Sequence, residues 1–479
     1  MKRKALTAAA LVFTLTLTGC PAPDDEVQTV TCLVEENTSA WSETIENNSD
    51  FVPGAEGAET SADVSGTNAE THDSFQGVEE TTPDPKISED PVIAEDDIPD
   101  ALKHLASSSG GQSSENPGSC FEAAFLKYAA AEGENAVISP ASAKLAMSMA
   151  AMGAGEDSST ETELLGLFGY ESRDEMSRIC KTLMEELNRE DGSLSAKNSM
   201  WVSDRVKSLN SSFSDGLKNY FFAESFTRDL TSQGFVDELN GWVETNTDGL
   251  IKEMLDEPMS EEARLALVNT LYFKNEWSKH FNDRYPRGFY GVSGFNENAP
   301  AMSMTEHIMY SADGTFKSVK LDYTDGSCMK IFLPADENKF VTDIIAEMSA
   351  EELAAAMEPF YSSTYVSLTM PPFECDYKAS LVEMFQSLGV KDCFDGSKAD
   401  FSGITSDVPL VISDVIQAAK IICGEDGTEA AAATIVIMAE CAFAEPSEPV
   451  ELIIDRPFLY SIEAPSGETI FMGVITDIQ

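Results

Sequence analysis

The stretch Gly427-Thr428-Glu429-Ala430-Ala431-Ala432-Ala433-Thr434, followed by Ile435-Val436-Ile437-Met438, decides the fold of this chain. By composition alone, its run of consecutive alanines favours one turn of helix. The setting favours an extended segment, because the run lies between the strand-like residues Val411–Ile416 and a loop that contains Pro and Glu. Small residues beside an exposed loop can enter a packed sheet as an extra strand. Successive side chains would then face opposite sides, which leaves Glu429 in water and turns inward Thr428, Ala430, Ala432 and Thr434.

Other motifs follow along the chain. They are Asn135–Ser142, Leu194–Val202, Asn240–Ile251, Leu267–Trp277, and Pro457-Phe458 with Phe471–Val474. Together with the run from Glu425 to Thr434, these motifs resemble those of the serpin family, in the family's order. They are similar to the start of a helix, a central strand, a helix, another strand and a closing hairpin. The resemblance covers residues 118–479, and several motifs in order over such a span are far more specific than one.

The resemblance implies an α+β domain with three β-sheets, about eight or nine surrounding helices and an exposed reactive-centre loop. It implies a protease inhibitor and not an enzyme: an irreversible suicide substrate of serine or cysteine endopeptidases. The protease attacks the loop and forms an acyl-enzyme. The upstream half of the loop then inserts into the main sheet as a new strand, which drags the protease along and distorts its active site. The loop hinge would be formed by Glu425, Gly427, Thr428, Glu429, Ala430, Ala431, Ala432, Ala433 and Thr434.

Small hinge residues favour inhibition, because the strands of the sheet must part before each residue enters. Non-inhibitory members tend to carry bulky, charged or Pro residues where this chain has its four alanines. The alternative is a non-inhibitory surface binding protein with the serpin fold.

Counting along the loop as in typical serpins places the reactive bond between Cys441 and Ala442. Cleavage after Cys441 would suit an elastase- or chymotrypsin-like protease. Cleavage after Glu440 would suit a glutamate-specific protease, and Phe443 and Met438 are further candidates. Cys441 is alternatively an incidental exposed thiol.

The resemblance also assigns residues to the regions where the sheet opens. The shutter of the family is matched by Ser139, Pro140, Ser142 and Asn269. Trp277 matches the residue under the point of first insertion. Gln417 stands where the family commonly has His, and it can form hydrogen bonds but cannot titrate, so opening would be tuned differently. Each of these residues is equally compatible with an ordinary core role.

The N-terminus has the pattern of an export signal. Lys2-Arg3-Lys4 precedes an apolar run from Ala5 to Leu17, which is too short for a spanning helix. The run ends in Leu17-Thr18-Gly19-Cys20, which resembles a bacterial lipobox in which Cys20 is diacylated. The alternative is an ordinary cleaved signal that contains Cys. Residues 1–20 are therefore assigned to a lipoprotein signal. They predict a protein anchored to the bacterial cell envelope by lipid alone, on its periplasmic or extracellular face.

Residues 21–117 are rich in Asp, Glu, Ser, Thr, Pro and Gly. Such a composition cannot bury enough apolar surface to offset chain entropy, so it predicts a disordered spacer that lifts the domain off the membrane. The full chain has 31 Lys and Arg against 83 Asp and Glu, a formal net charge of -52. This charge argues against a nucleic-acid partner. It indicates solubility or, alternatively, a preference for basic partners, and we expect a monomer.

The sequence contains no recognisable catalytic or metal-binding motif. None of its histidines, His72, His104, His280 and His307, lies in a recognisable nucleophile context. Apart from Cys20, the cysteines are scattered without a C-x-x-C pair, which argues against a zinc site. We expect most of them to be small buried apolar residues. The sequence therefore predicts no cofactor and no metal, and the spacing assigns no disulfide.

Periodicity begins after Ser119. A first amphipathic helix is predicted by the spacing of Phe121, Ala124, Phe125 and Tyr128. A second, buried helix is predicted over Ala143–Met152. The turn signal Asp325-Gly326 predicts a hairpin between its flanking strands. The predicted strands are Phe316–Leu321, Met329–Leu333 and Tyr365–Met370.

Overall fold

The computed structural model describes residues 9–19, 117–190, 193–428 and 448–478, with the backbone alone for residues 9–19 and 117–119. These residues form nine α-helices and one short 3₁₀ helix, Asp392–Phe394. The α-helices are α1 (Pro117–Ala130), α2 (Pro140–Met152), α3 (Ser159–Leu167), α4 (Arg173–Glu186), α5 (Ser211–Tyr220), α6 (Gln233–Asn246), α7 (Val341–Glu347), α8 (Ala350–Ala356) and α9 (Val382–Ser387).

Serine side chains begin many of these helices. A Ser hydroxyl at the N-cap accepts a hydrogen bond from a backbone N–H of the first turn, which has no partner inside the helix. Each such cap stabilises its helix by about 1 kcal/mol. The capping residues are Ser139, Ser158, Ser172, Ser232 and Ser349.

The described residues also form seventeen β-strands. They are β1 (Ala9–Gly19), β2 (Ala136–Ile138), β3 (Leu194–Ser203), β4 (Glu224–Arg228), β5 (Ala263–Phe273), β6 (Asn275–Glu276), β7 (Asp283–Gly291), β8 (Gly294–Ala312), β9 (Phe316–Asp322), β10 (Cys328–Pro334), β11 (Ser362–Met370), β12 (Phe373–Ser380), β13 (Leu410–Gly424), β14 (Gly427–Thr428), β15 (Val450–Ile453), β16 (Phe458–Glu463) and β17 (Thr469–Ile475).

The main sheet has eight strands. Seven lie in the order β4-β3-β5-β1-β13-β14-β6, and the eighth, β12, pairs with β13. Both faces of this sheet are buried. Leu265 and Leu267 of β5 belong to the large core, whereas Ala266 and Val268 belong to a second core with Trp201. Burial on both faces explains why β5 has an almost continuous apolar sequence.

The remaining nine strands form a second hydrogen-bonded network, in the order β15-β11-β8-β9-β10-β16-β17-β2 with β7 on β8. The long strand β8 joins its two parts. The first half of β8 pairs with β7, its middle pairs with β11, and its last residues pair with β9. This network supplies two sheets that share β8. With the main sheet and the nine helices of the described residues they confirm the α+β, three-sheet architecture with about eight or nine helices that the resemblance implies.

Strand β1 lies outside the domain boundaries that the sequence indicates. It is the fourth strand in the order of the main sheet, antiparallel to both β5 and β13. The sequence assigns these residues to an export signal and gives no expectation of a strand there. Their apolar character suits either setting, because a central strand of a sheet buried on both faces is also apolar.

The local elements that the sequence predicts are confirmed. Helix α2 is buried along nearly its whole length. Strands β9 and β10 pair across the turn at Asp325-Gly326, where Gly326 has φ +88°, a value that favours glycine. Strand β11 contains the predicted residues Tyr365–Met370.

The cysteines within the described ranges are free thiols. Cys120 is half-buried and the others are buried, as the sequence predicts for most of them: Cys180, Cys328, Cys375, Cys393 and Cys423. Burial raises the pKa of Cys180 and Cys328 to about 11 and that of Cys375 to about 12. None of the helices in the described ranges is long and apolar enough to cross a membrane.

Candidate functional site

The candidate site is the end of the main sheet at which the hinge of the predicted loop begins. Strand β13 ends at Gly424, the chain turns through Glu425 and Asp426, and it returns as β14. Thr428 pairs with Cys423 on one side and with Asn275 on the other. Two residues of the predicted hinge, Gly427 and Thr428, therefore already lie inside the sheet. Glu429–Thr434, the reactive-bond candidates Met438–Phe443 and the lipidation candidate Cys20 lie outside the described residues.

Glycine is the only residue type that fits at position 427. Its φ is +146°, in the region that side chains disfavour. A Cβ atom there would lie 2.1 Å from the carbonyl oxygen of Asn275 and 2.8 Å from the Cα of Glu276. The small residue that the sequence places at the start of the hinge is thus required by close backbone packing between β14 and β6.

Thr428 belongs to a buried group that we call the hinge cluster: Trp277, Tyr323 and Thr428. The hydroxyl of Thr428 lies 2.7 Å from the hydroxyl of Tyr323. The ring of Tyr323 stacks on Trp277, with ring centroids 4.4 Å apart and planes 12° from parallel. Burial raises the pKa of Tyr323 well above its ordinary value, so the phenol stays protonated and can donate a hydrogen bond.

Trp277 also fixes the turn between β13 and β14. Its indole Nε1–H donates to the carbonyl oxygen of Gly424 at 2.9 Å, and its backbone N–H donates to that of Asp426 at 3.0 Å. The predicted hinge residue Glu425 accepts from the backbone N–H of Phe281 at 3.3 Å and forms an exposed ion pair with Arg284 at 3.3 Å. The sequence places Trp277 under the point of first insertion, and that role stays a prediction.

A second buried group lies at the middle of the main sheet and is called the central cluster: Ser139, Ser142, Asn198, Asn269 and Gln417. Ser139 is the N-cap of α2, Pro140 is its first residue, and Ser142 lies in its first turn. The Ser142 hydroxyl donates to Oδ1 of Asn269, which lies on β5. The Nδ2 of Asn269 donates to Oδ1 of Asn198 at 2.8 Å, and Asn198 in turn donates to the carbonyl oxygen of Phe221 at 2.7 Å.

Gln417 reaches the same helix turn from the other side of β1. Its Nε2 donates to the carbonyl oxygen of Ser139 over 3.4 Å, a long hydrogen bond. Its Oε1 is buried and has no hydrogen-bond partner among the described side chains and backbone groups. The predicted shutter residues thus lie together. Their roles in opening the sheet remain predictions.

Sequence reasoning missed two residues of these clusters. Asn198 stands inside a motif that marks a strand, but nothing in that motif shows that its side chain links β3 to β5. Tyr323 precedes the predicted hairpin turn, and its contact with Thr428 joins residues far apart in sequence. Each depends on packing between distant segments, for which the sequence carries no local signal.

The comparisons with known proteins agree with this geometry. The sequence profile of the family described as "Serpin (serine protease inhibitor)" matches residues 121–478. This chain belongs to the serpin family. It is 30% identical over 358 residues to an uncharacterized serpin-like protein of Methanosarcina acetivorans, covering 72% of this chain and 81% of that protein. It is 29% identical to Serpin-Z10 of Arabidopsis thaliana, covering 72% of this chain and 92% of that protein.

Solved serpin structures share the fold. The native state of the thermophilic serpin tengpin superposes with a TM-score of 0.66 at 25% identity, covering 77% of this chain and 96% of that chain. Serpins are typically protease inhibitors and not enzymes. Both histidines of the serpin domain, His280 and His307, are exposed. Within the described ranges, no group of His, Cys, Asp or Glu side chains could hold a metal ion.

Proposed function

We propose that this chain is an inhibitory serpin, an irreversible suicide-substrate inhibitor of serine or cysteine endopeptidases. One observation carries the proposal: Thr428 is completely buried between β13 and β6, so the sheet already accepts this residue of the hinge. Strand β14, which ends at Thr428, runs antiparallel to β13, the direction that an inserting strand needs. The residues that follow are small, which suits entry into a packed sheet.

The energy for inhibition would come from strand addition, of which serpin loop insertion is a known example. Each inserted residue gains hydrogen bonds along the ladder and buries its apolar atoms. If the pairing of Thr428 with Cys423 continued, Ala430 would lie opposite Ile421 and Ala432 opposite Ala419, both buried core residues. The alternation that places alanines on the core face therefore matches the burial pattern of β13.

The test is the formation of a covalent complex by the chain processed at Cys20. Incubation with elastase, chymotrypsin, subtilisin and a glutamyl endopeptidase should give an SDS-stable complex with at least one protease. Thr428→Arg should abolish the complex while the loop is still cleaved, because the buried site beside Tyr323 cannot accept a charged side chain. Thr245→Arg, on the exposed face of α6, is the matched control and should leave complex formation unchanged.

The same reaction identifies the reactive bond and the protease class. We propose cleavage between Cys441 and Ala442 by an elastase- or chymotrypsin-like protease. Mass spectrometry of the released C-terminal fragment should then find Ala442 at its N-terminus. A fragment that begins after Glu440, Phe443 or Met438 would reassign the bond and the specificity. Cleavage by every protease without any complex would show that the protein is a substrate and would reject inhibition.

We further propose that the protein is a lipoprotein of the bacterial envelope, attached through Cys20. The support is the order of charged residues, apolar run and Leu-Thr-Gly-Cys at the N-terminus. Expression in a bacterium with radiolabelled fatty acid should label the unchanged protein and move it into the detergent phase on phase separation. Cys20→Ala should lose the label, whereas Cys32→Ala should keep it.

A further inference from the structure

Strand β1 occupies the gap between β5 and β13, which we call the slot. On each side, ten residues of β1 pair with the neighbouring strand, and both pairings are antiparallel. From Ala10 to Thr16 neither pairing shifts register. The backbone of this segment therefore finds partners along both edges, as in any central strand of a sheet.

The sequence of β1 has the period of a strand. In Val12-Phe13-Thr14-Leu15-Thr16-Leu17-Thr18, apolar residues and threonines alternate from residue 13 onward. An apolar leader needs no such alternation. The register places the apolar residues of this pattern opposite buried residues of β13. Leu11, Phe13 and Leu15 lie opposite Ala419, Gln417 and Val415, which are all buried.

Strand β1 holds the positions along β13 that the inserting loop would need. Thr428 pairs with Cys423, and each step forward along the loop is one step back along β13. An unbroken ladder would bring Ala431 opposite Lys420 and Thr434 opposite Gln417. Those two residues of β13 are already paired with Ala10 and Phe13. Loop and N-terminal segment cannot share these partners.

We propose that residues 9–19 are a plug that binds in the slot and prevents the unprocessed chain from inserting its own loop. This inference rests on the proposed inhibitory function. A chain with the plug in place is cleaved by a protease as an ordinary substrate, because the loop has no place to enter. Removal of the plug makes the chain competent to inhibit.

The position of the plug makes the block removable. Gly19, the last paired residue, lies opposite Leu410, and the proposed processing cuts the chain directly after it. While it is attached, the plug binds intramolecularly, and the closure entropy that opposes this binding grows only slowly with the length of the connection. After the cut it must rebind from solution, in competition with the membrane.

The test uses the full chain made in a cell-free system without membranes, so that residues 1–19 are retained. Leu15→Pro removes a backbone N–H in the middle of β1 and is incompatible with a central strand. Leu6→Pro, before the first paired residue, is the matched control. Hydrogen exchange is followed at the amides of Leu265–Leu271 in β5. Thermal unfolding is measured before and after the loop is nicked with subtilisin.

In the unchanged chain and in Leu6→Pro, the β5 amides should be protected and nicking should leave the unfolding midpoint unchanged. In Leu15→Pro these amides should exchange about tenfold faster or more. Nicking should then raise the midpoint of this variant by about 10 °C or more, because the freed slot accepts the cleaved loop.

Two results would overturn the proposal. Equal exchange in all three proteins would show that residues 9–19 do not occupy the slot in solution. Equal stabilisation of the unchanged chain and Leu15→Pro on nicking would show that the segment does not block insertion. Failure of the inhibitory function has a different signature, namely the absence of covalent complexes with the chain processed at Cys20, and it leaves the hydrogen-exchange readout of the plug intact.

Discussion

The two sides of the slot are held in different ways. On the β5 side, Asn269 forms side-chain hydrogen bonds to both Ser142 and Asn198. On the β13 side, Gln417 has one long bond to the carbonyl oxygen of Ser139, and its Oε1 is unpartnered within the described part of the chain. Both sides are thus tied to the first turn of α2, firmly on one side and weakly on the other.

The difference indicates which side of the slot moves. A fully hydrogen-bonded buried amide resists displacement, because breaking it leaves several polar groups unsatisfied. Strand β13 is instead held at its far end, where Gly424 accepts the indole N–H of Trp277 and Gly427 packs against β6. We expect β13 to shift at its middle while its hinge end stays fixed. The following substitutions test this comparison.

Gly427→Ala should have the largest effect, because it disrupts the packing that holds the hinge end of β13. Its Cβ would overlap the carbonyl oxygen of Asn275, and the backbone conformation is unfavourable for any side chain. We expect a loss of about 3 kcal/mol or more in the free energy of unfolding, measured by urea denaturation. Gly424→Ala is the control, since its Cβ would have nothing within 4 Å. Equal losses in the two variants would show that the hinge end is not tightly packed.

Asn269→Leu should have the next largest effect, because it removes the firm attachment of the β5 side. Ser142 and Asn198 would each lose a buried partner. The expected loss in the free energy of unfolding is about 3 kcal/mol. A smaller loss than that of Gln417→Leu would show that the β13 side of the slot is held more firmly than the β5 side.

Gln417→Leu should have a small effect, within about 1 kcal/mol in the same measurement. It removes an acceptor that has no partner within the described residues, and Ser139 keeps a hydrogen bond from the backbone N–H of Ala143. The variant tests whether the β13 side is weakly held at its middle. A loss as large as that of Asn269→Leu would show that Gln417 has a partner in solution.

Arg284→Ala should have the smallest effect. The ion pair between Arg284 and Glu425 is exposed on both sides, and exposed pairs contribute about 0.5 kcal/mol or less. The effect should disappear at high salt, which urea denaturation at two salt concentrations would detect. A large, salt-independent loss would assign a structural role to the Arg284 side chain at the turn.

Much of the fold could be predicted because its signals are local. The helical spacing of Phe121 and its neighbours, the turn at Asp325-Gly326 and the alternation before Pro371 each depend on a few adjacent residues. The family motifs placed these elements in a single architecture and brought Ser139, Ser142 and Asn269 together. The close approach behind Gly427 depends on β6, which is distant in sequence, and could only be seen in three dimensions.

The strand at the N-terminus could not be predicted. Apolar composition is common to export signals and to central strands, and the charged residues before it favoured the first interpretation. Its alternation with threonine was the one available signal of a strand. Because partners of β1 lie more than two hundred residues away in sequence, no local pattern could reveal the pairing.

The free thiols have a consequence for the movement of the main sheet. Cys375 and Cys423 lie on the neighbouring strands β12 and β13, and no covalent cross-link restrains those strands from sliding. Their high pKa and burial make both thiols slow to react with alkylating reagents while the sheet is closed. The rate at which each is alkylated thus reports how often movement of these strands exposes it to solvent. The two thiols are therefore natural chemical probes of movement at β12 and β13.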